Sequence, residues 1–296
     1  CNTTGPDNIA IGYQSQYNTT TGCQNVSMGW QSLVANTTGD GNTALGFKAL
    51  YTNNGSTPDF NVAVGRQALY STTSGYRNVG IGLNAMYTTT TGYANVGIGS
   101  NVLYSNTTGY ENVAIGQCAL YANISGVENT AIGCGALRSS QTATANTAVG
   151  RAALGKNTSG LRNVALGRNA MCANTTASDN VAIGFQALCT NTTGIDNVAV
   201  GRNALLASTT GTGGNVAVGM CTAVGITTGC FNTIIGKNAG TSLTTPEGNT
   251  FIGKSAGCNA VSGNNNTTLG INAGIDGVKN ITGTDTHNIV IGNNGN

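Results

Sequence analysis

The side chains able to do chemistry are few: nine cysteines, one histidine and ten acidic residues in 296. His287 alone cannot supply a zinc site, and no two cysteines form a CxxC pair. A Ser-His-Asp or Cys-His centre needs a histidine beside a nucleophile, and the acidic residues lie scattered with no recurring pair for acid-base work. No phosphate-cradling loop is present, because the glycines follow a structural period. The expectation is therefore no enzyme, no metal and no cofactor. Cysteine in this number suits an oxidising compartment, with the thiols acting as staples. The chain opens at Cys1 and not at Met, which reads as a processed, secreted segment.

What positions those residues is a repeat. The pattern Asn-x-x-x-Gly recurs at Gly12, Gly29, Gly46, Gly65 and onward to Gly292, seventeen times. The spacing is 17 residues except for 19 (Gly46 to Gly65), 18 (Gly201 to Gly219) and 22 (Gly270 to Gly292). The long copies place their extra residues in loop-like text such as "NNGSTPDF". Three residues before each anchor glycine stands a β-branched residue (Ile9, Val26, Thr43), and one before it a large aliphatic (Ile11, Met28, Leu45). A small residue usually lies between. Period-two patterning of this kind predicts a short strand. Ala and Leu follow three and four residues after the glycine, as Ala119 and Leu120 do, and an "NTTG" turn closes the unit. The fold class is all-β: a parallel β-solenoid, a β-roll or β-helix, of about 17 coils with 17 residues per coil. Residues 1–296 read as one continuous domain, on the order of 80 Å long at the interstrand spacing. Each coil is expected to bury about three large aliphatic side chains, too few to stand alone.

Stacked phases set the site expectations. Asn8, Asn42, Asn112, Asn163, Asn197, Asn249 and Asn288 share the position four before the anchor and should form a hydrogen-bonded ladder. Cys172 and Cys189 share a phase in adjacent coils, within disulfide reach. Cys118 and Cys134, one phase apart, and Cys221 and Cys230, within one coil, are further disulfide candidates. An odd cysteine count leaves a thiol for a bond between subunits, with Cys1 the candidate. Asn2, Asn18, Asn36, Asn54, Asn106, Asn123, Asn157, Asn174, Asn191, Asn265 and Asn280 head Asn-x-Ser/Thr acceptors, mostly in turns where exposure is expected; Asn25 and Asn266 also do, but as ladder members should be buried. Tyr51, Tyr70, Tyr87, Tyr104 and Tyr121 share a phase and should stack, either as plain coil packing or as a carbohydrate-binding strip.

The phrase "NVAIGQCAL" at Asn112–Leu120 resembles the head repeat of trimeric autotransporter adhesins (the YadA-like head). It also resembles the "NTAIGxxAL" arrays of bacterial and viral fibre or tail-fibre proteins. The likeness covers essentially the whole chain, although this coil is three residues longer and carries cysteines. The resemblance implies a left-handed parallel β-roll that trimerises, an extracellular structural or adhesive role, and no catalytic residues.

Net charge is +2, with Lys and Arg scattered along the sequence, so neither nucleic acid nor an anionic membrane is expected as a partner. No apolar run is long enough to span a bilayer. The phases at the two termini would let copies stack end to end. The expected function is an extracellular subunit of a fibre or filament, self-associating head to tail and laterally. The alternatives are an ice-binding β-solenoid, with stacked threonines as its surface, and an adhesin head binding a receptor or glycan.

Overall fold

This computed structural model describes residues 5–55, 59–211, 213–274 and 286–293. Cys1, Asn2 and Asn280 lie outside the described residues. The chain forms two compact units, Cys1–Asn146 and Thr147–Asn296. The first holds β1 (Ile9–Ile11), β2 (Val26–Met28), β3 (Thr43–Leu45), β4 (Val62–Val64), β5 (Val79–Ile81), β6 (Val96–Ile98), β7 (Val113–Ile115) and β8 (Thr130–Ile132). The second holds β9 (Thr147–Val149), β10 (Val164–Leu166), β11 (Val181–Ile183), β12 (Val198–Val200), β13 (Val216–Val218), β14 (Thr233–Ile235), β15 (Thr250–Ile252), β16 (Thr267–Leu269) and β17 (Ile289–Ile291). Within each unit successive strands pair in parallel, and equivalent residues lie side by side. Val113 is paired with Thr130 and Val181 with Val198. The long copies keep this register, with Thr43 beside Val62 and Thr267 beside Ile289. Each unit is a β-solenoid, all-β among the described residues.

The strands are only three residues long because the chain must turn repeatedly to close a coil. Three corner positions adopt the left-handed conformation that L-residues avoid at a cost of about 1–2 kcal/mol each. In the coil after Gly116 these are Cys118, Leu120 and Glu128, with φ of 55°, 49° and 57°. Sequence leaves two reasons open for the anchor glycine, and both apply. Gly116 has φ 123°, and a Cβ there would lie 2.8 Å from the carbonyl carbon of Gly133 in the next coil. Hydrogen bonds between coils explain how the bends are tolerated: Gly116 N–H donates to Ile98 O at 2.8 Å, and Leu120 N–H to Ala136 O at 3.0 Å.

The interior differs from the expectation of three large aliphatic residues per coil. The small central strand residue points inward, and its larger neighbours point out: Ala114 is fully buried, while Val113 is half-buried and Ile115 exposed. The core consists of that alanine, the Ala-Leu pair after the anchor and rows of asparagine. The reason is width. A Cβ on Gly97, the central residue of β6, would lie only 2.9 Å from Met86 Cγ, so nothing much larger than alanine fits. Where the centre is large, the space is found elsewhere. Ile234 and Phe251 occupy the centres of β14 and β15. The position four after the anchor, Leu or Met in most coils, is Gly240 and Gly257 beside them.

Candidate functional site

The chemistry-bearing residues are best followed coil by coil, because each row has one environment. In the row four before the anchor, each Asn side chain bridges two coils. Asn25 N–H donates to Asn8 Oδ1 at 2.9 Å, and Asn112 Nδ2 donates to Asn95 Oδ1 at 3.0 Å and to Gly126 O at 2.9 Å. Asn42 accepts from Asn61 N–H at 3.0 Å and donates to Asp59. In the second unit Asn163 accepts from Asn180, Asn197 from Asn215, and Asn249 donates to Asn232. Asn288 donates to Asn266 Oδ1 at 3.0 Å across the longest repeat. A buried amide satisfied in this way fixes register, since a slip would leave several polar groups unpaired.

The "NTTG" asparagines form a second buried row, which corrects their expected exposure. Asn36, Asn106, Asn123, Asn157, Asn174 and Asn191 are fully buried. Asn123 Nδ2 donates to Asn106 Oδ1 at 2.8 Å and to Gly126 O at 3.0 Å; Asn174 Nδ2 donates likewise to Asn157 Oδ1. The turn is tight enough that the amide, and not solvent, closes it. A glycan cannot occupy a nitrogen already donating inside the coil. Among the described sequons only Asn18, Asn54 and Asn265 are exposed. The threonines one residue further on are also committed: Thr73, Thr90 and Thr107 each donate their hydroxyl to a carbonyl of the next coil at 3.0–3.1 Å. That removes one rank of hydroxyls from any ice-facing surface.

The structure brings Cys172 and Cys189 together as a disulfide between adjacent coils, with Cα atoms 5.0 Å apart. The other two pairings do not form: Cys118, Cys134, Cys221 and Cys230 are unbonded thiols. Adjacent phases are the obstacle for the first pair. Cys134 is exposed while Cys118 is half-buried, and the residue hydrogen-bonded across from Gln117 is Gly135, so the two thiols occupy different rows. Cys221 and Cys230 sit at different corners: the N–H of one bonds Arg202 O, that of the other Pro246 O.

The aromatic rows belong to the first unit. Tyr51, Tyr70, Tyr87, Tyr104 and Tyr121 stack in sequence with centroids 4.9–5.3 Å apart. Tyr76, Tyr93 and Tyr110 form a second stack, and Tyr13, Trp30 and Phe47 a third. Burial among neighbouring rings pushes the Tyr93 and Tyr104 phenols above their ordinary range. Every inner ring has both faces covered by the rings above and below. A sugar that stacks on an aromatic needs a free face, so these rows serve packing between coils.

Sequence reasoning missed the outer face of the strands. Ile98, Ile115 and Ile132 in the first unit are each 37% exposed; Leu166, Ile183, Ile235, Ile252 and Leu269 continue the pattern in the second. Solvent thus meets a flat row of aliphatic side chains repeating at the coil spacing. The signal was present in the small central residue, whose size marks it as the inward one. Among the described residues no three His, Cys, Asp or Glu gather as metal donors, and no helix is long and apolar enough to cross a membrane. Comparison of the chain with family models, curated proteins and solved structures yields no match.

Proposed function

We propose that this chain is an extracellular structural protein, a subunit of a fibre or filament in which copies associate laterally through the strand face and stack coil on coil. The observation that carries the reading is the exposed aliphatic row of Ile98, Ile115 and Ile132 and its counterpart in the second unit. Covering the remaining exposed third of each isoleucine contributes about 0.5–1 kcal/mol, so a row of such residues supplies several kcal/mol. A partner must match a rigid repeat of about 4.8 Å, and a second copy has that repeat by construction. Coil-to-coil bonding is equally self-complementary. Each coil accepts on one edge the same amide and backbone bonds that it donates on the other, so a stacked copy meets familiar partners. The buried asparagine amides and the turn threonine hydroxyls are spent on holding coils together, which suits a scaffold. An adhesive role on top of it would use the outer rows.

Light scattering after size exclusion tests this reading. The intact chain should elute as a multiple of the 29.6 kDa protomer, and Ile115→Asp with Ile183→Asp should release monomer of unchanged circular dichroism. A monomeric wild-type chain at high concentration, with no fibres in negative stain, would refute it.

A further inference from the structure

We propose that the second unit binds a linear polyanionic polysaccharide, sulfated or carboxylated, along a single row of cations. The Lys and Arg that look scattered along the sequence are not scattered in space. Arg151, Arg168, Arg202, Lys237 and Lys254 all occupy the position one after the anchor glycine, and all five are exposed. The row is continuous through the backbone, because each residue's carbonyl accepts from the next coil. Asn169 N–H bonds Arg151 O at 3.0 Å, Gln186 N–H bonds Arg168 O at 3.1 Å, and Ser255 N–H bonds Lys237 O at 2.9 Å. Five of the protein's twelve basic residues therefore stand in file along one edge of the unit.

Three features make this edge a site and not a solvated surface. First, it is unipolar. The described acidic residues of the unit, Asp179, Asp196 and Glu247, lie at the far end of the strand face, eleven or twelve positions after an anchor. Among the described residues the salt bridge in the structure joins Arg162 to Asp179, in that other row, so none of the five cations is neutralised by a partner. Second, the row is one residue wide and rigid. A membrane or a nucleic acid duplex meets a broad basic patch; a file of cations matches one extended anionic chain. Third, the rise of one coil, about 4.8 Å, is close to the advance of one pyranose residue, so anionic groups repeated along a polysaccharide stay in step with the row. The two interruptions, Phe185 and Met220, are apolar, and Arg168 already lies 5.9 Å from the Phe185 ring. Phe185, 40% exposed, leaves an apolar ring edge in the file between two guanidinium groups, where a sugar's C–H groups can pack. Polar amides flank the file one residue further on, at Asn169, Gln186, Asn203 and Asn238.

The test passes the full-length chain over immobilised heparin and titrates it against soluble heparin, neutral dextran, a single-stranded oligonucleotide and phosphatidylserine vesicles. Heparin should bind with a salt dependence set by released counterions, and dextran should not bind. Arg168→Gln, Arg202→Gln and Lys237→Gln together should weaken heparin on the order of a hundredfold, about fivefold per cation. Arg77→Gln, Arg138→Gln and Lys156→Gln together remove the same charge from other rows and should change it less than threefold. Equal losses in the two triples would mean that net charge alone is read, and would overturn the site. Tighter binding to the oligonucleotide or the vesicles than to heparin would overturn the ligand class. A footprint on the unmutated chain needs no variant to fold: bound heparin should protect Lys237 and Lys254 from reductive methylation while leaving Lys156 reactive. Equal labelling of all three sinks the proposal.

Discussion

Gly257 faces the ring of Phe251 so closely that a Cβ on the glycine would fall 2.5 Å from ring atom Cδ2. Both are buried, and the pair inverts the arrangement of most coils, where a small strand centre accompanies a Leu or Met after the anchor. The backbone at Gly257, φ 56°, is the one that Leu120 and Met171 adopt at φ 49°. Leucine therefore suits the conformation and fails only on volume. Phe251→Ala should cost about 3–5 kcal/mol, and Gly257→Leu should destabilise by collision. The double variant should be more stable than either single one, giving a favourable coupling in a double-mutant cycle of urea midpoints. Additive losses would show that the two positions do not share one space.

Two glycines two phases apart separate strain from collision. Gly116→Ala meets both a φ of 123° and the Gly133 backbone at 2.8 Å, whereas Gly135→Ala, at φ 67°, has nothing within 4 Å of its Cβ. The second substitution should cost about 1 kcal/mol, the left-handed penalty alone. The first should cost several times that, because backbone cannot retreat without breaking the neighbouring coil's bonds. Thermal melts of the two variants side by side measure the difference.

Much of this was readable from the residues. A repeat of fixed length, a β-branched residue three before each glycine and an Asn four before it lead to the solenoid and to the amide ladder, because stacked copies must present like to like. The sidedness of the strand was harder to read. Val113, Ala114 and Ile115 alternate in size, and hydrophobicity alone places the larger pair inside; only the width of the coil, set by Leu120 and the Asn rows, reverses that. The turn asparagines were misread for a related reason. Asn123 lies in turn sequence, which ordinarily means exposure, but its amide is what closes the turn. Neighbouring phases such as Cys118 and Cys134 cannot be paired from spacing, since one step along the chain changes the row.

Burial decides which sequons can carry sugar. Secreted from a eukaryotic host, the chain should be modified at Asn18, Asn54 and Asn265 among the described sequons, and at none of Asn36, Asn106, Asn123, Asn157, Asn174 and Asn191. Attachment to any of the six before folding would sever the bonds their amides make within and between coils, so such chains should fail to appear in the folded fraction. Glycopeptide mass spectrometry of that fraction checks both statements. A sugar on folded Asn123 would contradict the second buried row.

Asp59 gives the first unit an inverted dependence on pH. Its carboxylate is buried and accepts from Asn53 Nδ2 at 2.9 Å and Asn42 Nδ2 at 3.3 Å. Burial is the largest influence and raises its pKa; the two amide bonds oppose it only partly. With the folded value above the unfolded one, the native state holds the proton more tightly. The stabilising contribution is then complete below the ordinary carboxylate range, about pH 4, and is lost as pH rises through the folded value. The exposed pair Arg162–Asp179 runs the other way, since Arg162 lowers the Asp179 pKa and that contribution is lost only on acidification. Asp59→Asn keeps an acceptor for both amides and removes the charge. It should leave stability at pH 4 nearly unchanged, raise the melting temperature at pH 7, and flatten the profile between. A variant that melts lower than wild type at pH 7 would mean that the ionised carboxylate, and not its neutral form, is what Asn42 and Asn53 hold in place.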